Sequence, residues 1–322
     1  MSDGALVLVA DLGGTNTRVA LARGKTVLPE TVERFLNAGY DGIDRILADY
    51  LRASEHAGEC RGACVAVAGP VHDGRARITN LGWVIDRDTV GRATRAGTVA
   101  VLNDLQAQGH AIGHIDQSQL TSIFEGEAAD RLATKLVVGI GTGFNAAPVY
   151  DTESGRFVPA AEAGHASLPV RTDAQVRLAR FVESAHGFAA VEDVLSGRGL
   201  ERVYAWLGEE AGDARSQTAR GITASCASGD DPRAEAAVRT FSQMLGVVTG
   251  DLALNYLPFG GIFLVGGVAR SFAPYLPRMG YREAFRDKGR FASFMDTFSV
   301  TVVEDDYAAL TGCATHLAQL MV

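Results

Sequence analysis

At 322 residues this chain is too long for one small core and long enough for two domains. Hydrophobic residues at 47% and charged residues at 21% exclude a disordered chain or a fibre. A formal net charge of -8, with no Lys/Arg cluster as a local exception, gains nothing from counterion release, so no nucleic-acid partner is expected.

In chain order, residues 5–10 form a continuous apolar run that predicts a strand buried on both faces. The run is far short of the ~20 residues that span a bilayer and lacks a signal peptide's basic flank. A cytoplasmic protein with no membrane association is therefore expected. Asp11-Leu12-Gly13-Gly14-Thr15-Asn16 is turn chemistry, and residues 18–22 resume the strand pattern. A helix is predicted over 42–57, with Ile43, Ile46, Leu47 and Leu51 on one face. Residues 63–68 read as another buried strand, stopped at Gly69-Pro70. It carries Cys64, which is near Cys60; Cys226 and Cys313 are scattered elsewhere. A C-x-x-x-C with no second pair or nearby His is a poor zinc site, so free buried thiols are expected. Residues 98–102 form a further strand that delivers Asn103-Asp104 at its C-terminal end.

The same grammar then repeats, with a strand at 135–140, a turn at 141–143 and a returning strand at 146–150. Helical segments follow at 174–186, 190–195, 200–207 and 220–226. The clearest helix covers 232–255, where Val238, Phe241, Leu245, Val248 and Leu252 step by three and four into one apolar stripe. Asp231 supplies its N-cap and Pro232 its first turn. Residues 261–265 form a last buried strand, closed by Gly266-Gly267, and a final helix over 308–321 takes Asp306 as its N-cap. Two halves that each open with strand, glycine-rich turn and strand predict a duplicated α/β layout with mixed sheets. The expected domains are a small α/β domain, 1–112 plus about 305–322, and a large α/β domain, 113–304.

The candidate chemistry begins at Asp11. A carboxylate at the end of a buried strand can hold a hydrated Mg²⁺, which favours carboxylate and water ligands. The glycines that follow let backbone N–H groups approach phosphate oxygens, and Thr15 adds a hydroxyl. An ordinary hairpin turn would use the same residues. The second loop, Gly139-Ile140-Gly141-Thr142-Gly143, adds weight, because two such loops suggest a phosphate chain gripped from two sides. The run 144–150 continues as a strand where a dinucleotide fold needs a helix, and no Walker lysine follows either loop.

A hydroxyl is a poor nucleophile, so transfer to a sugar needs a base positioned to accept its proton, and Asp104 beside Asn103 fits that task. The same pair also fits a helix cap. Glu162-Ala163-Gly164-His165 offers a carboxylate and an imidazole that bind a hexose's hydroxyls in paired hydrogen bonds. Glu192 taken alone reads as a helix-surface residue. The stretch 259–268 is a strand with glycine pairs at both ends, which would let adenine lie against the backbone; tight strand–helix packing explains them equally well.

Together these residues resemble the bacterial glucokinases of the hexokinase–actin superfamily, in the group typified by the enterobacterial enzyme. The resemblance spans nearly the whole chain. It runs through Asp11 to Asn16, Leu102-Asn103-Asp104, the 139–143 loop, Glu162-Ala163-Gly164-His165, Val194-Leu195-Ser196-Gly197 and Phe259-Gly260-Gly261. Ala284-Phe285-Arg286-Asp287-Lys288-Gly289-Arg290-Phe291 is the most diagnostic, since the phosphate loops are shared across the superfamily. The residues alone assign no role to Asp287 through Arg290.

The resemblance implies a two-domain actin-like, ribonuclease H-like ATPase fold with mixed central sheets, flanking helices and a cleft between domains. It implies Asp104 as catalytic base, and Asn103, Asp104, Gly143, Glu162, His165 and Glu192 as the glucose-binding set. Ala10, Asp11, Leu12, Gly13, Gly14 and Thr15 become the first ATP loop, with Thr142, Gly266 and Gly267 also on the nucleotide. ATP and Mg²⁺, a cytoplasmic homodimer and production of glucose 6-phosphate and ADP follow from the same resemblance. Zinc is not expected, because related ROK-family kinases carry a cysteine-rich motif where this chain has Ala166-Ser167-Leu168-Pro169-Val170.

Two features depart from the family pattern. Ala161 and Ala163 replace glycines around Glu162, and their methyl groups are expected to narrow the sugar pocket or shift its loop. Asn145 stands where glycine is common, and its Cβ is expected to crowd the phosphates, although Asn tolerates positive φ. The alternatives are a kinase of mannose, fructose or an amino sugar, and a catalytically weak sugar-binding protein on the same fold. A DNA-binding sugar sensor is disfavoured by the acidic charge.

Overall fold

The computed structural model describes residues 4–54, 56, 58–78 and 81–321. Strand β1 (Leu6–Leu12) turns through the first glycine loop into β2 (Asn16–Arg23), paired antiparallel from Leu6↔Arg23 to Leu12↔Thr17. Short strands β3 (Thr26–Val27) and β4 (Glu33–Leu36) both add to β2. Helix α1 (Ile43–Ala53) leads to β5 (Gly62–Val67), which lies parallel to β1. A small antiparallel sheet, β6 (Val71–His72), β7 (Arg75–Ile78) and β8 (Trp83–Asp86), precedes α2 (Arg87–Thr94). Strand β9 (Thr98–Asn103), parallel to β5, runs straight into α3 (Asp104–Ala111).

The second half repeats the opening. After β10 (Leu120–Phe124), strand β11 (Lys135–Ile140) turns through the second glycine loop into antiparallel β12 (Phe144–Thr152). Strand β13 is Gly155–Phe157. Helices α4 (Asp173–His186), α5 (Val191–Val194), α6 (Gly197–Glu210), α7 (Ala219–Ser228) and α8 (Pro232–Tyr256) follow. Next come β14 (Ile262–Val265), α9 (Gly267–Phe272), α10 (Tyr281–Arg286), β15 (Val300–Val303) and α11 (Ala308–Leu320). The second sheet places β10, β15, β14, β11 and β12 in that order, with β11, β14 and β15 mutually parallel.

The chain divides into two units, one of residues 1–117, Thr152–Ala160 and Asp305–Val322, the other of Ser118–Asp151 and Ala161–Glu304. The segment Thr152–Ala160 lies inside the 113–304 span read from sequence, yet clusters with the first unit. In that unit β1 is buried on both faces. Leu6, Leu8, Ala10 and Leu12 pack with Ile43, Ile46 and Leu47 of α1, while Val7 and Val9 pack with Leu310, Cys313, Ala314 and Leu317 of α11. Alternation of side chains along a strand makes this two-sided burial automatic once a helix covers each face. In the other unit, Val238, Phe241, Leu245 and Val248 of α8 enter one core with Leu136, Val138 and Ile140 of β11. Asp231 caps α8 by accepting from the Arg233 N–H, with Pro232 in the first turn.

Some local expectations are corrected. Helix α1 ends at Ala53, with Ser54 as its C-cap, whereas the sequence extended it to 57. Residues 55 and 57 lie outside the described residues. Asp306 is not the N-cap of α11: Tyr307 holds that position without a side-chain cap, and it is Asp305 that accepts from the Tyr307 N–H at 2.7 Å. The small β6–β8 sheet escaped the sequence reading because it is half-exposed and alternating, as in Arg75-Ala76-Arg77-Ile78, rather than a continuous apolar run. Among the described residues, no helix is long and apolar enough to cross a membrane.

Candidate active site

The first glycine loop is held from outside the hairpin. Asn37, buried at 1% exposure, donates from Nδ2 to the Gly13 carbonyl at 2.8 Å and from its backbone N–H to the Thr15 carbonyl at 2.9 Å. Its Oδ1 accepts from the Thr17 hydroxyl at 2.7 Å. The Gly13 N–H closes the turn on the Asn16 carbonyl at 3.0 Å, so that donor is committed to the hairpin. Ala10 and Leu12 are fully buried and offer only backbone to a ligand. Beside the loop lies a hollow of about 210 Å³ lined by Asp11, Gly13, Gly14, Thr15, Asn16, Arg18 and Arg34. Burial pushes the Asp11 carboxyl above its usual range, and the Arg18 guanidinium, 3.7 Å away, pulls it back. The ionised form of such a carboxyl is stabilised by any cation beside it. Asn37 and Arg34 went unnoticed in the sequence, where neither lies in a motif.

Asp104 opens α3, and the sequence around it builds a complete capping box. Asn103 Oδ1 accepts from the Leu105 N–H at 2.9 Å, and the Gln106 side chain accepts from the Asn103 N–H at 3.0 Å. Asn103 Nδ2 also donates to the Gly69 carbonyl at 2.9 Å, where the chain leaves β5. The amide of Asn103 is thus engaged at both ends, and its evident work is to cap the helix and fix Asp104. A helix N-terminus favours an ionised carboxylate, which a proton acceptor requires. Two contacts from residues 156–158 steady α3 along its length. Gln106 donates to the Val158 carbonyl at 2.9 Å, and Arg156 Nη1 donates to the carbonyls of Gly109, His110 and Ile112 at the other end.

The second glycine loop is built differently. Glu192, on α5, accepts from the Phe144 N–H at 2.9 Å, and a Cβ on Gly143 would stand 2.3 Å from Glu192 Oε2. A Cβ on Gly164 would stand 2.0 Å from the Phe144 carbonyl oxygen, so glycine is required for the segment of residues 162–165 to close on the loop. Glu162 and His165 are exposed and 3.9 Å apart. The chain after His165 zips against 189–191, with Leu168 donating to Ala189 and Val191 to Ala166, which delivers Glu192 to the loop. Gly197 donates to the Gly141 carbonyl at 2.9 Å, giving the Val194 to Gly197 motif its place. The structure therefore assembles Gly143, Glu162, His165 and Glu192, and Glu192 is no plain surface residue.

Asn145 has partners that the sequence did not suggest. Its φ is not positive, and its side chain turns to the segment around Glu162: Oδ1 accepts from the Ala163 N–H at 2.9 Å and Nδ2 donates to the Ala161 carbonyl. Asn145 thus staples the backbone on either side of Glu162.

Gly266, at φ 101°, would bring a Cβ to 2.5 Å from the Ile140 carbonyl, so strand–helix packing accounts for it. Nothing lies within 4 Å of a Cβ built on Gly267, and Thr142 is exposed. The Asp287-Lys288-Gly289-Arg290 segment proves to be a fastening. Arg171 donates to both the carboxylate and the carbonyl of Asp287. Lys288, 7% exposed, reaches Asp251 at 2.6 Å and the Val247 carbonyl at 3.0 Å on α8. All four cysteines are free. Among the described residues, no three His, Cys, Asp or Glu side chains are grouped to hold a metal ion.

Two mixed sheets, each headed by a glycine turn and flanked by helices, place the molecule in the class of actin-like sugar kinases. The glucokinase family model matches residues 8–320. The chain is 32% identical over 311 residues to a glucokinase of Marinobacter nauticus, covering 96% of each. Its structure superposes with a TM-score of 0.86 on the crystal structure of a glucokinase from an Antarctic psychrotroph, at 32% identity, covering 97% of this chain and 98% of that one. A glucokinase from Balamuthia mandrillaris, crystallised in complex with glucose, shares the fold at 22% identity and a TM-score of 0.79, covering 98% and 93%. The chain belongs to the glucokinase family.

Proposed function

We propose that this chain transfers the γ-phosphoryl group of ATP to the 6-hydroxyl of glucose, yielding glucose 6-phosphate and ADP. The observation that carries the sugar half is the close packing of Gly164 and Glu192 on Phe144, which sets Glu162, His165 and Glu192 beside a glycine loop. Carboxylates and an imidazole so placed hydrogen-bond the hydroxyls of a hexose. Asp104 is the proton acceptor: its carboxylate takes the proton of the 6-hydroxyl as that oxygen forms its bond to the γ-phosphorus and the bond to the β-phosphate oxygen breaks. Asn103 and Gln106 keep Asp104 in place through the capping box. The loop of residues 10–15 receives the nucleotide phosphates.

Asp11 fits Mg²⁺, because a partly exposed carboxylate at the edge of the loop hollow matches the ion's usual mix of one or two protein ligands with phosphates and water. When bound, Mg²⁺ neutralises charge on the phosphoryl oxygens. The same reading extends to a zinc-free cytoplasmic homodimer, which metal chelation and light scattering test directly.

The deciding experiment is ATP-dependent ADP formation across a panel of hexoses, with Asp104→Asn as control. Turnover with glucose, absent or strongly reduced in the variant, supports both the reaction and the base. Sugar binding with no turnover on any hexose sinks the reading in favour of a binding protein, and a preference for mannose, fructose or an amino sugar replaces the substrate.

A further inference from the structure

Asp11, Arg18 and Arg34 form one row across three strands. Asp11 on β1 is the register partner of Arg18 on β2, and Arg18 is the partner of Arg34 on β4. Residues directly opposite on antiparallel strands share a face, with Cβ atoms about 5 Å apart. The row contains one carboxylate and two guanidinium groups, so one positive charge is in surplus.

Arg18 is already engaged. It lies 3.7 Å from Asp11, donates to the Asp306 carbonyl at 3.1 Å, and stands 5.8 Å from the centre of the Tyr307 ring. Arg34 makes no ion pair and no side-chain hydrogen bond among the described residues, although it lines the same hollow as the glycine loop. Like charges directly opposite each other destabilise a sheet, and an anion between them relieves that repulsion. The position of Arg34 relative to the loop is also fixed. Asn37, immediately after β4, holds the carbonyls of Gly13 and Thr15. The strand that carries the surplus charge and the loop that faces the hollow are therefore one built unit.

We propose that Arg34 is a cationic contact for the polyphosphate chain of the phosphoryl donor. Its planar guanidinium can grip phosphate oxygens in paired hydrogen bonds, a geometry that a lysine cannot reproduce. Arg18 remains with Asp11 and sets the local field. The inference rests on the glucokinase reading only in naming ATP as the donor; the hollow and its surplus charge stand without it.

The test uses the full chain with Arg34→Gln and Arg34→Lys, each first checked for an unchanged melting temperature. Arg34→Gln is expected to raise the KM for ATP about tenfold while the KM for glucose stays put. Calorimetry should show ADP and inorganic tripolyphosphate binding weakened alike and adenosine binding untouched, with Arg34→Lys recovering part of the loss. Unchanged affinity of Arg34→Gln for both ADP and tripolyphosphate overturns the proposal. So does an equal loss of adenosine binding, which would place the effect on the nucleoside. Failure of the glucokinase reading looks different: wild-type protein turns over no hexose, and the ADP and tripolyphosphate titrations still decide the role of Arg34.

Discussion

The two glycine loops share a plan and differ in what steadies them. Each joins an antiparallel pair at the head of a mixed sheet, with a parallel strand on the other side: β1–β2 beside β5, and β11–β12 beside β14. The first is pinned by one buried amide, Asn37, and faces a hollow with two arginines. The second is pinned by distant segments, through Gly164, Glu192 and Gly197. A duplicated hairpin has thus diverged by its supports. One loop faces a hollow lined by two arginines, while the other is tied to the segment that carries Glu162 and His165.

That contrast can be broken by experiment, beginning with the largest effect. Asp104→Asn keeps the shape of the residue and removes the proton acceptor, so kcat should fall by roughly 10² to 10⁴ with little change in stability. A rate near wild type would strip Asp104 of that role. Gly164→Ala puts a methyl group on the Phe144 carbonyl, and overpacking of this kind costs about 1–3 kcal/mol. Glucose affinity should collapse before ATP affinity does; if the KM for ATP suffers first, the second loop serves the nucleotide more than the sugar.

Two amide deletions then separate the loops directly. Asn37→Ala leaves the Gly13 carbonyl and the Thr17 hydroxyl without their partner, a loss of about 1–3 kcal/mol, and should raise the KM for ATP. Asn145→Gly removes the staple on Ala161 and Ala163 and should raise the KM for glucose several-fold, leaving ATP unaffected. Kinetics with each substrate varied in turn would expose a reversed pattern, and with it the failure of the comparison.

The smallest effect concerns pH. Burial, and secondarily the charge of Arg87, lowers the pKa of His316, whose ring lies 4.5 Å from that of His110. The folded state therefore binds fewer protons there than the unfolded chain. Stability should decline as pH falls through the unfolded value of about 6.5 and towards the lower folded one. Melting temperature measured against pH should show that slope, and His316→Asn should flatten it.

Much of this arrangement was legible before any coordinates. Apolar runs marked β1, β5, β9 and β11, and the three-and-four stripe marked α8, because burial on both faces or on one stripe leaves a pattern among near neighbours. The Asn103 cap was equally readable, although its partner Gln106 was not singled out. Asn37 and the fastening by Lys288 were invisible for one shared reason: each acts on residues distant in sequence, and no local pattern signals it. Asn145 was noticed as a departure, but its bonds to Ala161 and Ala163 were not, since a sequence shows that a side chain is present and not where it turns.

The sequence by itself determined the glycine turns, the helix starts at Asn103 and Asp231 and the strands that feed the loops. Those depend on residues within a few positions of one another and on backbone preferences that act locally. Only the tertiary structure decided which polar groups meet. Glu192 reaches the Phe144 N–H across 48 residues, and Asn37 reaches Gly13 across 24. Such bonds form only after topology has placed two buried groups side by side, where each must find a partner in place of water.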